Sequence, residues 1–248
     1  MRRLSHLAPL SLALLLVACG DGEPLLPPDA VLPDGGRYRG EVVDGLLQGP
    51  GRLDYSNGSY YQGQFKDGLF NGPGEWRSEH GEVYSGEFQG GNFHGQGSLT
   101  YSDGSHYQGG FVDGSPSGEG HLKGSQLEYR GEFSKGLYNG LGKLQWSNGA
   151  SFQGQFKKGE PDGQGVLTDA EGNEYTGTFD NSQLNGQGSF KNLGGDLYSG
   201  QFRDNQFHGK GRYQSADGEV WSGRFVHGSL TGKGEFKGSD GSHYAGQF

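Results

Sequence analysis

Cys19 is the only thiol in this 248-residue chain. It closes an apolar run from Leu7 to Ala18 that follows Arg2 and Arg3. A lone cysteine forms no internal disulfide and no cysteine-based metal site, so the chemistry open to it is modification of the thiol. The eight histidines would carry acid–base or metal chemistry only by converging, and their contexts repeat instead. His94 and His208 both stand in Phe-His-Gly; His106 and His243 both stand in Gly-Ser-His-Tyr. Recurrence in a fixed slot points to packing or surface roles rather than to one singular site. Acidic residues scatter without forming a ladder. No Gly-x-Ser-x-Gly elbow, HExxH, phosphate loop or dinucleotide fingerprint stands at a strand-to-helix junction. The expectation is no catalytic residue, no metal ligand and no cofactor.

Residues 1–18 are too short in their apolar part for a permanent membrane span and read as an export signal. The end of the run, Leu16-Val17-Ala18-Cys19, resembles the lipobox of bacterial lipoproteins. The resemblance implies that Cys19 becomes the acylated first residue of the mature chain, carrying palmitate-type chains. It further implies that Gly20 sorts the protein to the outer membrane of the cell envelope, facing the periplasm or surface, rather than to the inner membrane. More than one acyl chain makes such an anchor stable. Residues 19–36, rich in proline and without apolar periodicity, are expected to be a tether reaching roughly 20 to 25 Å.

Hydrophobic residues make up 30% of the chain and 52 residues are glycine, too little material for a conventional thick core. Yet 13 Tyr, 15 Phe and 3 Trp are more aromatic residues than a solvated, disordered chain carries. The formal charge is −9 and becomes more negative once Arg2 and Arg3 are removed. Nucleic acid and anionic membrane surfaces are poor partners for such a chain.

The composition follows from a repeat. An aromatic followed by x-Gly-x-aromatic begins at Tyr61, Tyr84, Tyr107, Tyr129, Phe152, Tyr175, Tyr198, Trp221 and Tyr244, and Tyr38 opens the series with Val42 in the second aromatic place. Gly-x-Gly follows in each unit, with an apolar residue two positions on, such as Leu53, Trp76 and Leu99. Alternation with period two puts the aromatics and glycines on one face of short strands. Asp-Gly, Asn-Gly and Lys-Gly pairs mark hairpin bends where φ must be positive. A glycine between same-face aromatics lets neighbouring rings lie across bare backbone.

The pattern Y-x-G-x-F-x-x-G-x-x-x-G-x-G resembles the MORN repeat. It implies an all-β fold over residues 37–248: an elongated single-layer antiparallel sheet of tandem 23-residue β-hairpins, nine full repeats and a terminal half repeat. That half repeat, YAGQF, would cap the last hairpin or leave a pairing edge. Irregular turns are expected where Ser182 and Asn205 replace a turn glycine and where Gly124 comes early.

One apolar row occupies the ninth position of each unit and includes Phe70, Phe93, Tyr138 and Phe207. The row completes a thin core over the hairpin bends, or lines a groove for an apolar peptide or helix. The leading functional expectation is a non-catalytic, lipid-anchored interaction scaffold that binds a protein partner or self-associates through its sheet, touching the membrane through acyl chains on Cys19 and binding no nucleic acid. The alternatives are direct phospholipid binding by the repeats, which mixed charges such as Lys66 and Asp113 oppose, and cell-wall glycan binding by stacked rings.

Overall fold

The computed structural model describes residues 30–32 and 35–248. Cys19, the export signal and most of the tether lie outside the described residues. Two compact units are formed. One takes in the described residues up to Ser125 together with Phe133–Leu137; the other comprises Gln126–Glu132 and Tyr138–Phe248.

Within the first unit, β1 (Ala30–Val31) precedes four hairpins: β2 (Arg37–Val43) with β3 (Leu46–Asp54), β4 (Tyr60–Lys66) with β5 (Leu69–Arg77), β6 (Val83–Gln89) with β7 (Asn92–Thr100), and β8 (His106–Val112) with β9 (Ser115–Lys123). Chain neighbours from β2 to β9 pair antiparallel, and β1 adds to β2 through Ala30 opposite Tyr38. Leu32, just beyond β1, is buried. The sheet therefore reaches into the segment read as tether.

The remaining strands are β10 (Leu127–Ser134), β11 (Leu137–Trp146), β12 (Ser151–Lys157), β13 (Glu160–Thr168), β14 (Glu174–Asp180), β15 (Gln183–Lys191), β16 (Leu197–Arg203), β17 (Gln206–Gln214), β18 (Val220–Val226), β19 (Ser229–Lys237) and β20 (His243–Gln247). From β11 to β20, in the second unit, each strand again pairs antiparallel with the next. All described regular elements are strands, in tandem hairpins of one layer, as the repeat pattern implies.

Each mid-repeat bend has two residues with positive φ, such as Asp67 at 52° and Gly68 at 80°, the backbone of a type I′ turn. The second bend residue donates its N–H to the ninth-position carbonyl of the preceding repeat: Gly68 to Leu47 at 3.0 Å, Gly91 to Phe70 at 2.9 Å, Gly159 to Tyr138 at 2.9 Å. Repeats are thus stapled backbone to backbone. This corrects one expectation, because Ser182 and Asn205 do not make the bend irregular. They adopt φ of 69° and 66°, since Ser182 N–H is held by Pro161 O and Asn205 N–H by Leu184 O as in the glycine bends. The loop after β9 does depart: Gly124 lacks the positive φ of Gly58, Gly81 and Gly104 at the corresponding turns.

Register explains the glycines. In the first unit they stand opposite one another strand after strand, from Gly40 through Gly51, Gly63 and Gly74 to Gly120. In the second, a corresponding ladder runs from Gly142 through Gly154 and Gly165 to Gly246. A bulge after the glycine in the first strand of each hairpin, for example between Gly63 and Phe65, shifts the register once per repeat.

Candidate functional site

The ring face is built from the glycine ladder upward. Tyr84 lies down over Gly86 and Gly97: a Cβ on either would stand 2.5 or 2.4 Å from its hydroxyl oxygen. That hydroxyl donates to Glu87 O at 2.8 Å and approaches His94 O at 3.2 Å. Tyr61 repeats the arrangement over Gly63 and Gly74, donating to Gln64 O at 2.9 Å. Such a buried phenol is both a packing surface and a satisfied polar group.

The four row residues singled out from sequence sit on these rings. Phe70 stacks on Tyr61 at 3.8 Å and Phe93 on Tyr84 at 3.8 Å. Tyr138 stacks on Tyr129 and Phe207 on Tyr198, each again at 3.8 Å. Phe65 and Phe88 meet the stacked pair edge-on. Phe70 and Phe93 are only 6% and 5% exposed, which makes them packing residues with almost no surface to offer, whereas Tyr138 and Phe207 are half-buried. The row is brought onto the core in both units. No apolar trough is left open along Phe70 and Phe93.

Burial, helped by the nearby Glu41 carboxylate, pushes the Tyr38 phenol up to about 12. Burial raises Tyr61, Tyr84 and Tyr107 above the ordinary tyrosine range as well. These shifts mark a dry ring layer in which each hydroxyl is taken up by a backbone carbonyl, Glu41 O for Tyr38, Gln64 O for Tyr61, Glu87 O for Tyr84 and Gly110 O for Tyr107.

Two histidines meet, His208 and His227, edge-on at 6.3 Å between ring centroids; His94, His106 and His243 contact different groups. His106 contacts Thr100 Oγ1 at 3.2 Å, and His243 pairs with Glu235 at 2.8 Å. His94 and His208 contribute backbone carbonyls to tyrosine hydroxyls. No cluster of three or more His, Cys, Asp or Glu able to hold a metal occurs among the described residues.

The MORN repeat profile matches residues 38–60, 61–79, 84–106, 107–125, 129–151, 152–174, 175–192, 198–220 and 221–243. The chain belongs to the MORN-repeat family. No curated protein matches the chain. Among solved structures, the TCP10 domain of Danio rerio CPAP is similar at 14% identity, covering 89% of this chain and 100% of that one, with a TM-score of 0.42. The same domain in complex with a peptide of Danio rerio STIL gives 14% identity, 89% and 99% coverage and a TM-score of 0.44. The SAS-4 (dCPAP) TCP domain of Drosophila melanogaster, in complex with a proline-rich motif of Ana2, gives 10% identity, 73% and 88% coverage and a TM-score of 0.35.

The face of the MORN sheet opposite the rings carries a feature that reading the repeats one by one missed. In the last MORN repeats Lys210 stands directly opposite Arg224 and Arg212 opposite Ser222, while Arg224 faces Thr231 on β19 and Lys233 lies in the bulged stretch between that pair and Gly223–Gly234. All four are exposed, and no ion pair reaches their side chains among the described residues. Lys210 and Lys233 share the middle slot of Gly-x-Gly, and Arg224 fills the slot between glycine and second aromatic. Tabulating these outward slots, rather than the turns, would have exposed the cluster.

Proposed function

We propose that this chain is a non-catalytic scaffold of the bacterial envelope, held at a membrane through Cys19, whose repeat sheet binds a protein partner. The observation that supports it best is the division of labour between the two faces. Nearly all aromatic capacity is spent within the ring layer, where Tyr61, Tyr84, Tyr107 and Phe152 are fully buried. The polar side chains of the other face are left displayed in repeated rows at strand spacing, about 4.8 Å. A surface of that kind offers length and many weak contacts, as stacked-repeat binding surfaces do.

The reading is tested in cells producing the full chain. Crosslinking should recover a defined protein partner from wild type, and Cys19→Ser should release the chain from the membrane fraction without changing its thermal melting. Recovery of no crosslinked protein would overturn the scaffold reading. Unchanged membrane association of Cys19→Ser would overturn the anchor.

A further inference from the structure

We infer that Lys210, Arg212, Arg224 and Lys233 form a docking lane for an acidic, extended segment of a polypeptide partner. The inference deepens the scaffold reading and rests on it. Like charges placed directly opposite on neighbouring strands destabilise a sheet, and Lys210 opposite Arg224 is such a pair. The acid on the same face that could relieve it is engaged elsewhere: Glu235 holds Lys237 at 3.2 Å and His243 at 2.8 Å. Four cations are therefore left for an outside anion, in a chain whose overall charge is −9.

The shape of the patch selects the partner. Its cations span β17, β18 and β19, so it is three strands wide, about 10 Å between the outer strand axes. Asp204 lies at the bend on one side of the cluster, and Asp217 and Glu219 lie in the turn on the other. A planar anionic membrane would meet those carboxylates along with the cations, whereas a single extended chain running across the strands passes between them. Gln187 and Gln201, paired with each other on β15 and β16, lie on the same face, and Gln201 Oε1 already accepts the Lys210 N–H at 3.2 Å, so Gln187 carries the amide suited to a peptide backbone. Arginine can bind a carboxylate with two parallel hydrogen bonds, which makes glutamate and aspartate side chains fitting occupants.

The test uses the full chain and a fluorescent synthetic peptide of alternating glutamate and serine, with its glutamine counterpart as control. Anisotropy should show binding of the glutamate peptide alone, weakened by added salt. The triple substitution K210E/R224E/K233E should weaken it by on the order of tenfold or more. The neutral triple K210Q/R224Q/K233Q should weaken it in the same direction, and covers the case in which charge reversal disturbs folding. Equal binding of the glutamine peptide, or undiminished binding by both triples, would overturn the inference. So would phosphatidylglycerol vesicles that retain wild type over the triples while the peptide does not bind. Crosslinking of the cellular partner that survives the substitutions would refute the lane and leave the scaffold reading standing.

Discussion

The two units fill corresponding glycine ladders in different ways. In the first, Tyr38, Tyr61, Tyr84 and Tyr107 all lie over their glycines, and each is at most 1% exposed. In the second, Tyr129, Phe152 and Tyr198 do the same, but Tyr175 and Trp221 do not. Leu184 covers Gly177 in place of Tyr175, and Leu230 covers Gly223 in place of Trp221; hypothetical Cβ atoms there would meet the leucine Cδ1 at 2.7 and 2.8 Å. The bare backbone is thus the invariant, and the ring above it is one of several possible fillers. Tyr61, Tyr84, Tyr129 and Tyr198 carry a stacked ninth-position ring, Tyr38 and Tyr107 lie over their glycines with Leu47 and Pro116 in that position, and above Gly177 and Gly223 the ninth-position leucine itself is the filler.

Removal of the stacking partner tests the contrast most severely. Phe93→Ala takes a buried ring off Tyr84 and should cost about 3–5 kcal/mol. Phe207→Ala removes a half-buried ring stacked on Tyr198 and should cost about half as much, since less area leaves the core. Chemical denaturation of each variant checks the ranking. Equal losses would mean that ring burial does not set the difference.

Loading the ladder itself comes next. A methyl on Gly97 would stand 2.4 Å from the Tyr84 hydroxyl, whereas one on Gly188 meets Thr176 O at 2.8 Å and the Phe202 ring at 3.1 Å. Gly97→Ala should cost about 3 kcal/mol and Gly188→Ala about 1–2 kcal/mol. Adding Tyr84→Leu to Gly97→Ala should recover part of the loss, because the phenol that the new methyl would meet is then gone. No recovery would show that backbone contact, and not the ring, sets the limit.

Alkaline titration sharpens the contrast between tyrosine and phenylalanine. A phenol whose folded pKa lies above its unfolded value of 10.0 contributes stability that is fully present below pH 10 and is lost as pH rises through the folded value. For Tyr38 and Tyr198 that window runs from pH 10 to about 12, at up to about 1.4 kcal/mol per pH unit for each phenol. Phe152 contributes nothing to the loss. Tryptophan fluorescence can follow the units separately, since Trp76 lies in the first and Trp146 and Trp221 in the second. The second unit holds Tyr138, Tyr198 and Tyr213, each raised to about 12, but Tyr61, Tyr84 and Tyr107 in the first are raised further by burial, so the first unit should unfold at the lower alkaline pH. Simultaneous loss of both signals would count against it.

Much of this architecture is legible in the residues. The spacing of Tyr84, Gly86 and Phe88 against Gly95 and Gly97 specifies strand, bend and facing, because period two and the turn glycines leave few alternatives. The packing role of glycine between aromatics is legible for the same reason. What sequence does not reveal is register across repeats. Only the bulge and the bend-to-carbonyl bonds decide that Lys210 faces Arg224, or that Phe93 lies flat on Tyr84 instead of lining a groove. Lys210 and Arg224 are 14 positions apart in different slots, and neither slot is cationic in the earlier repeats. Ser182 misleads in the other direction, since local propensity argues against the left-handed conformation that stacking imposes, whereas asparagine tolerates it.

Those two bends give the smallest and most discriminating effect. Both residues hold a left-handed conformation that costs a non-glycine residue about 1 kcal/mol, less for asparagine than for serine. Asn205 recovers part of that cost, because its Oδ1 accepts the Leu184 N–H at 2.7 Å while its own N–H reaches Leu184 O. No side-chain bond of this kind supports Ser182 across its bend. Ser182→Gly should therefore stabilise the second unit by about 0.5–1 kcal/mol, the usual worth of relieving such a position. Asn205→Gly should be near neutral, since the strain relieved is offset by the lost hydrogen bond. Thermal melting of the two variants separates the cases. If both gain equally, the Asn205 side chain adds nothing to the bend, and if neither gains, the staple to the preceding repeat already holds the positive φ without measurable strain.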